Sequence, residues 1–132
     1  MAGVIILDAS VLIAHLDRSD DHHERADSLL LDLADHELGA STLTLAEVFV
    51  GPARSGRLHV AASAVRALGV RDIAPGPDAA ARLAEFRAQT GLKLPDCCVL
   101  LAAEDEGAPG IGTFDERLGR TAKGLGLGVA PA

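Results

Sequence analysis

Short stretches that are apolar at every position alternate along this chain with longer ones whose apolar positions recur every three or four residues. GVIIL (3–7) is continuously apolar, which marks a buried parallel strand, because a half-exposed strand would alternate. ELGAS (37–41), VRDIA (70–74), GIGT (110–113) and LGVAP (127–131) read as four further short strands. A short helix is predicted over 10–16. HHERADSLLLDLADH (22–36) is amphipathic, with Ala26, Leu29, Leu30, Leu33 and Ala34 on one face. TLTLAEVFVGPA (42–53) is a third helix that Gly51-Pro52 loosens near its end. GRLHVAASAVRAL (56–68) is closed by Gly69, and PDAAARLAEFRAQTG (77–91) has Asp78 near its start and Gly91 just past its end. LPDCCVLLAAEDEG (94–107) carries Pro95 in its first turn, and DERLGRTAKGLG (115–126) is a helix or broken helix. Five strands joined by helical crossovers imply an α/β fold, a parallel sheet with helices on both faces.

Composition narrows the class. At 132 residues, 48% hydrophobic and 23% charged, the chain is expected to be one folded domain spanning 1–132. No run approaches the roughly 18 apolar residues of a membrane helix, and the N-terminus lacks a basic leader, so a cytoplasmic protein with no membrane partner is expected. The adjacent Cys97 and Cys98 match neither a disulfide framework nor a zinc spacing and read as core residues in a reducing compartment. A net charge of −7 argues against a generic nucleic-acid coat protein, though not against an enzyme whose acids bind metal.

Four acidic residues stand alone in apolar surroundings. Asp8 is the only charged residue among the first sixteen, inside VIILDASVLIA (4–14). Glu47 is the only one between Leu38 and Ala53, on a helical face with Leu43, Ala46 and Val50. Asp96 is the only one between Leu94 and Ala103, and Asp115 directly follows GIGT. Burying a lone carboxylate is costly unless it is paired, hydrogen-bonded or bound to a metal. Each has a structural explanation: Asp8 and Asp115 as N-caps, Asp96 at the positive end of a helix dipole, Glu47 closing a capping box with Thr44. Their coincidence points to a site. In a parallel sheet wound outward from strand one, Asp8 and Asp115 end neighbouring strands at the edge where ligands bind. If all four converge, repulsion raises the pKa of at least one unless a cation sits among them, and an oxygen-seeking Mg²⁺ or Mn²⁺ is the natural occupant. Ser10 and Thr113, two residues from Asp8 and Asp115, are placed to orient a carboxylate or a water on the metal. His22-His23 reads as an exposed helix start.

The segments LDASVLIA, STLTLAEV, LPDCCVLLAA and TFDERL resemble, in order and spacing, the four acidic motifs of PIN-domain ribonucleases. The compact length and SDDHHERA after the first helix further resemble the VapC toxins of type II VapBC toxin–antitoxin pairs. The resemblance covers essentially the whole chain. It implies a three-layer α/β/α sandwich with strand order 3-2-1-4-5 and a cluster of Asp8, Glu47, Asp96 and Asp115. Asp8 and Asp96 would be the main Mg²⁺ ligands, Asp115 would hold the same or a second ion, and Glu47 would position the attacking water. It also implies endonucleolytic RNA hydrolysis, translation and growth inhibition, neutralisation by a VapB-type antitoxin, and a homodimer within a hetero-oligomer with that antitoxin. Apolar surface on the early helices would dock the partner.

Arg18, Arg54, Arg57, Arg117 and Arg120 are candidates for phosphate contacts. With three Phe and no Tyr or Trp, base stacking cannot dominate, which favours a structured RNA such as tRNA or an rRNA loop. A phosphatase or phosphotransferase of the haloacid-dehalogenase type would need a second Asp two residues after the first, where Ser10 stands, and a response-regulator receiver would need an Asp ending strand three. A catalytically silent interaction module of the same fold is the remaining alternative, against which the four isolated acids count.

Overall fold

The computed structural model describes residues 3–132. Its elements in chain order are β1 (Val4–Leu7), α1 (Ala9–Leu16), α2 (His23–Asp32), β2 (Glu37–Ser41), α3 (Thr42–Arg54), α4 (Leu58–Ala67), β3 (Val70–Ile73), α5 (Ala79–Thr90), α6 (Leu94–Asp105), β4 (Gly110–Gly112), α7 (Glu116–Gly124) and β5 (Gly128–Ala130). The five strands form one sheet in the order β3-β2-β1-β4-β5, every pair parallel.

Strand β1 shows why the fold has three layers. All four of its residues are buried, and successive side chains point to opposite faces. Val4 and Ile6 join a core with Leu92, Cys97, Val99, Leu100 and Leu118, from α6, α7 and the turn before α6. Ile5 and Leu7 join a second core with Val11, Leu12, Leu29, Leu45 and Val65, from α1 to α4. The continuous apolar run is what a strand covered on both sides requires. Helix α6 has the same character: Cys97 and Val99 through Ala103 are all buried, so it lacks a polar face across its middle.

Most element boundaries fall within one or two residues of the sequence reading, and the differences lie in α2 and α3. Helix α2 stops at Asp32, where the Leu33 amide bonds to the Leu29 and Leu31 carbonyls, so Ala34 lies beyond the helix and is exposed instead of sharing its buried face. Helix α3 runs through Pro52 to Arg54. It begins at Thr42, capped by Ser41, whose Oγ accepts from the Thr44 amide at 3.0 Å. The Thr44–Glu47 capping box is therefore absent, and Glu47 sits in the second turn.

Close approach explains one glycine and a left-handed backbone another. A Cβ on Gly110 would lie 2.7 Å from the Gly128 carbonyl oxygen, so the β4–β5 pair requires glycine there. Gly91 ends α5 in the left-handed region, at φ 71°. The turn after it is pinned by Arg87 Nη1 on the Leu92 carbonyl at 2.9 Å and by the Leu92 amide on Thr90 Oγ1 at 3.1 Å. That turn leads directly into α6 and fixes where Asp96 emerges.

Candidate active site

Parallel strands that begin at one edge of a sheet all end at the other, and the turns leaving β1, β2 and β4 here start α1, α3 and, after Phe114 and Asp115, α7. The ladder extends past β1 and β4: the Asp8 amide bonds the Gly112 carbonyl at 3.0 Å, and the Thr113 amide bonds that of Ala130 at 3.0 Å. Asp8 and Thr113 are thus held by sheet backbone before their side chains make any contact.

Asp8 is 5% exposed. Its extended backbone makes it the N-cap of α1, with Oδ1 accepting from the Val11 amide at 3.3 Å. Capping is only part of what its carboxylate does. Ser10 Oγ donates to Oδ1 at 2.6 Å, and the Thr113 hydroxyl donates to Oδ2. The same hydroxyls accept from the next turn: Ser10 from the Phe114 amide at 3.0 Å, Thr113 from the Asp115 amide at 2.9 Å. A hydroxyl has one hydrogen, and both give theirs to Asp8. Burial nevertheless pushes the Asp8 carboxyl above its ordinary pKa, against those three hydrogen bonds and with a smaller upward push from the Asp115 charge.

Asp115 caps α7 through one oxygen, Oδ1, which accepts from Arg117 and Leu118 amides at 2.9 and 3.1 Å. Asp96 lies half-buried in the first turn of α6, two residues past Leu94. Its pKa is raised first by burial, then by the charges of Asp115, Asp8 and Glu47, with Arg117 offsetting part of the rise. Glu47 is an exposed residue whose carboxyl is partly shielded; that shielding, and secondly the Asp8 charge, raise it too. The fold therefore brings Asp96 within reach of the charges of the other three acids, and Asp8 within reach of those of Asp115 and Glu47.

The acids repel without closing on one another: among the described residues no three His, Cys, Asp or Glu side chains stand close enough to enclose an ion. The donor set is nonetheless specific. It consists of carboxylate oxygens, and the nearby thiols of Cys97 and Cys98 are pushed towards the neutral form, chiefly by burial. Hard oxygen donors with surplus negative charge fit an oxygen-seeking divalent cation.

A model of the PIN domain family matches residues 5–124, a span that contains all four acids. The chain belongs to the PIN domain family. Solved structures share this PIN fold at low identity. A toxin–antitoxin complex from Klebsiella pneumoniae superposes with TM-score 0.69 at 23% identity, covering 87% of this chain and 89% of that one. Mycobacterium tuberculosis VapC20, described as a sarcin-ricin loop cleaving toxin, gives 0.72 at 19%, covering 89% and 94%. Rickettsia felis VapBC2, bound to a DNA fragment from its promoter, gives 0.67 at 17%, covering 96% of each chain. A search of curated proteins finds no match.

Two side chains of this PIN domain, His23 and Cys98, depart from the sequence reading. His23 is half-buried, its Nδ1 2.7 Å from the Ala14 carbonyl oxygen and its Nε2 3.4 Å from Asp27, tying α2 to α1. Only His22 is exposed, and it stacks on Phe114. Cys98 is half-buried beside a small pit lined by Ser41, Ile73 and Pro75, unlike the fully buried Cys97. Arg117, one of the five candidate arginines, lies near Asp96 and donates to the Gly91 carbonyl at 3.3 Å.

Proposed function

We propose that this PIN domain, a single domain over 1–132, is a divalent-metal-dependent endoribonuclease and the toxin of a VapBC-type pair, acting on a structured RNA in the cytoplasm. The observation that carries the catalytic reading is the position of Asp96, half-buried and within reach of three further carboxylate charges, with Arg117 as the one counter-charge acting on it among the described residues. Among the described residues no helix is long and apolar enough to cross a membrane.

Asp8, Asp96 and Asp115 would hold Mg²⁺, for which Mn²⁺ would substitute, and Asp115 keeps Oδ2 free of the α7 cap for this purpose. The bound ion would polarise the scissile phosphodiester and make a water nucleophilic near neutral pH. Ser10 and Thr113 fix the Asp8 carboxylate from both oxygens, so its orientation does not depend on the ligand. Glu47, on a different helix and with a raised pKa, would position the attacking water and take its proton. Arg117 would meet the phosphate charge beside Asp96.

The toxin assignment draws on the relatives: the Klebsiella pneumoniae and Rickettsia felis structures are of toxin–antitoxin assemblies. An antitoxin or a second copy of this chain would cover the apolar side chains that the early helices expose, Ile13 of α1 and Leu43 and Val50 of α3. Incubating the purified protein with total tRNA and with ribosomes, in Mg²⁺ or in EDTA, tests the proposal. Discrete RNA fragments in Mg²⁺ only, abolished by Asp96→Asn, are the expected result. Cleavage that persists in EDTA would overturn the metal mechanism, and intact RNA throughout would overturn the nuclease.

A further inference from the structure

Helix α2 and the β4–α7 turn meet outside the acidic cluster in a contact that the four acids do not explain. The Phe114 ring packs on the α1–α4 core from its inner side. Its neighbours outside are the His22 ring, stacked at 5.2 Å between centroids, and the Arg25 guanidinium, 4.8 Å from the ring centroid. Arg25 Nη1 lies 3.2 Å from His22 Nδ1. An arginine only donates, so His22 accepts through Nδ1 and its remaining ring hydrogen is on Nε2.

Arg25 is surrounded in sequence by Asp20, Asp21, Glu24 and Asp27, yet it forms no ion pair among the described residues, while His15 and His23 engage Asp27. Two contacts hold its exposed guanidinium in place, with no carboxylate paired to it among the described residues. A planar cation fixed on an aromatic face gives up little conformational freedom when it meets an anion. The position has a meaning for the chemistry, because Phe114 is adjacent to Asp115 and its amide is bonded to Ser10 Oγ, which in turn donates to Asp8.

Resting on the nuclease reading, the geometry points to Arg25, with the His22 Nε2–H beside it, as a contact for an RNA backbone phosphate next to the scissile one. Arg25 is a binding and positioning residue here, distinct from the acids that carry the reaction. The groove beyond it is lined by Glu24, Ser28 and Asp32, whose charge would repel a further phosphate, so the contact is to one phosphate and not to a run of them.

The test measures binding of a fluorescently labelled RNA hairpin by anisotropy across a series of NaCl concentrations, with the full chain carrying Asp96→Asn and EDTA present so that no strand is cut. In that background Arg25→Ala should weaken binding several-fold. It should also lower the slope of log affinity against log salt by roughly 0.7–0.9, the value of one phosphate contact. Arg25→Lys, which keeps the charge, should restore the slope. Phe114→Leu should keep the slope but weaken binding, because the cation is no longer held. Thermal melts of each variant separate loss of fold from loss of contact. A slope unchanged by Arg25→Ala, where the parent binds RNA with clear salt dependence, would overturn the phosphate contact and leave the nuclease reading standing. A parent that binds no RNA at any salt concentration would overturn the nuclease reading and this contact with it.

Discussion

The Thr113 hydroxyl donates to Oδ2 of Asp8 across 105 residues of chain. That contact ties the ends of β1 and β4 together, and its partner from Ser10 occupies the other carboxylate oxygen. Asp8 is consequently a helix cap and a member of the acidic cluster at once; the capping bond at 3.3 Å is the longest of its three.

Thr113→Val keeps shape and removes the hydroxyl, leaving Oδ2 of the buried Asp8 without its donor and the Asp115 amide without its acceptor. Stability should fall by about 1–3 kcal/mol, the cost of an unsatisfied buried polar group. Thr113→Ser should recover most of it. Urea unfolding of the three proteins reads the difference, and a Val variant as stable as wild type would show that the hydroxyl is not structurally required.

Ser41 caps α3, is 4% exposed and shares a 2.8 Å hydrogen bond with Thr44 Oγ1, which is itself buried. Ser41→Ala should cost about 1–2 kcal/mol. Glu47→Ala, at the position that a capping box would have used, should cost far less in the same urea titration. Equal losses would return Glu47 to a capping role.

The pH dependence of the metal-free protein follows from the direction of three shifts. Asp8, Glu47 and Asp96 all have carboxyl pKa values raised from the ordinary ones in the folded state, chiefly by burial. A raised folded pKa means that the folded protein takes up protons before the unfolded chain does. These groups therefore stabilise the fold fully below the unfolded pKa and lose that contribution as pH rises through the folded one. In EDTA, wild type should gain on Asp96→Asn as pH falls from neutral towards the ordinary carboxylate range. Melting temperatures of both across that window measure the gap, and a gap that does not change with pH would contradict mutual repulsion at the cluster.

Much of this arrangement is legible in the sequence because burial leaves a direct mark on it. A strand covered on both faces must be apolar throughout, so β1 is visible as VIIL and its partners follow from the crossover rule. The four acids are conspicuous for the opposite reason, as charges where the surroundings supply none. Local patterns misled where two motifs competed. Thr44-Leu45-Ala46-Glu47 fits a capping box, but Ser41 lies three residues before Thr44 and caps first. Ala34 continues the apolar spacing of α2, yet the helix has already ended. The His22–Arg25–Phe114 contact has no sequence signature, since it joins the start of α2 to the β4–α7 turn, segments distant along the chain that meet through the β1–β4 pairing and the packing of α2 on α1.

Melting curves with and without metal test most directly whether Asp8, Asp96, Asp115 and Glu47 form one site for a divalent cation. Mg²⁺ or Mn²⁺ at about a hundred times its dissociation constant should stabilise wild type by roughly 2.7 kcal/mol over EDTA, a rise of several degrees in Tm. Asn caps a helix about as well as Asp but offers only one oxygen to the Ser10 and Thr113 hydroxyls, so Asp8→Asn should lose some stability in EDTA, and should in addition lose most of the metal-induced rise. Equal metal-induced rises in wild type and Asp8→Asn would contradict the account and leave Asp8 as a helix cap alone.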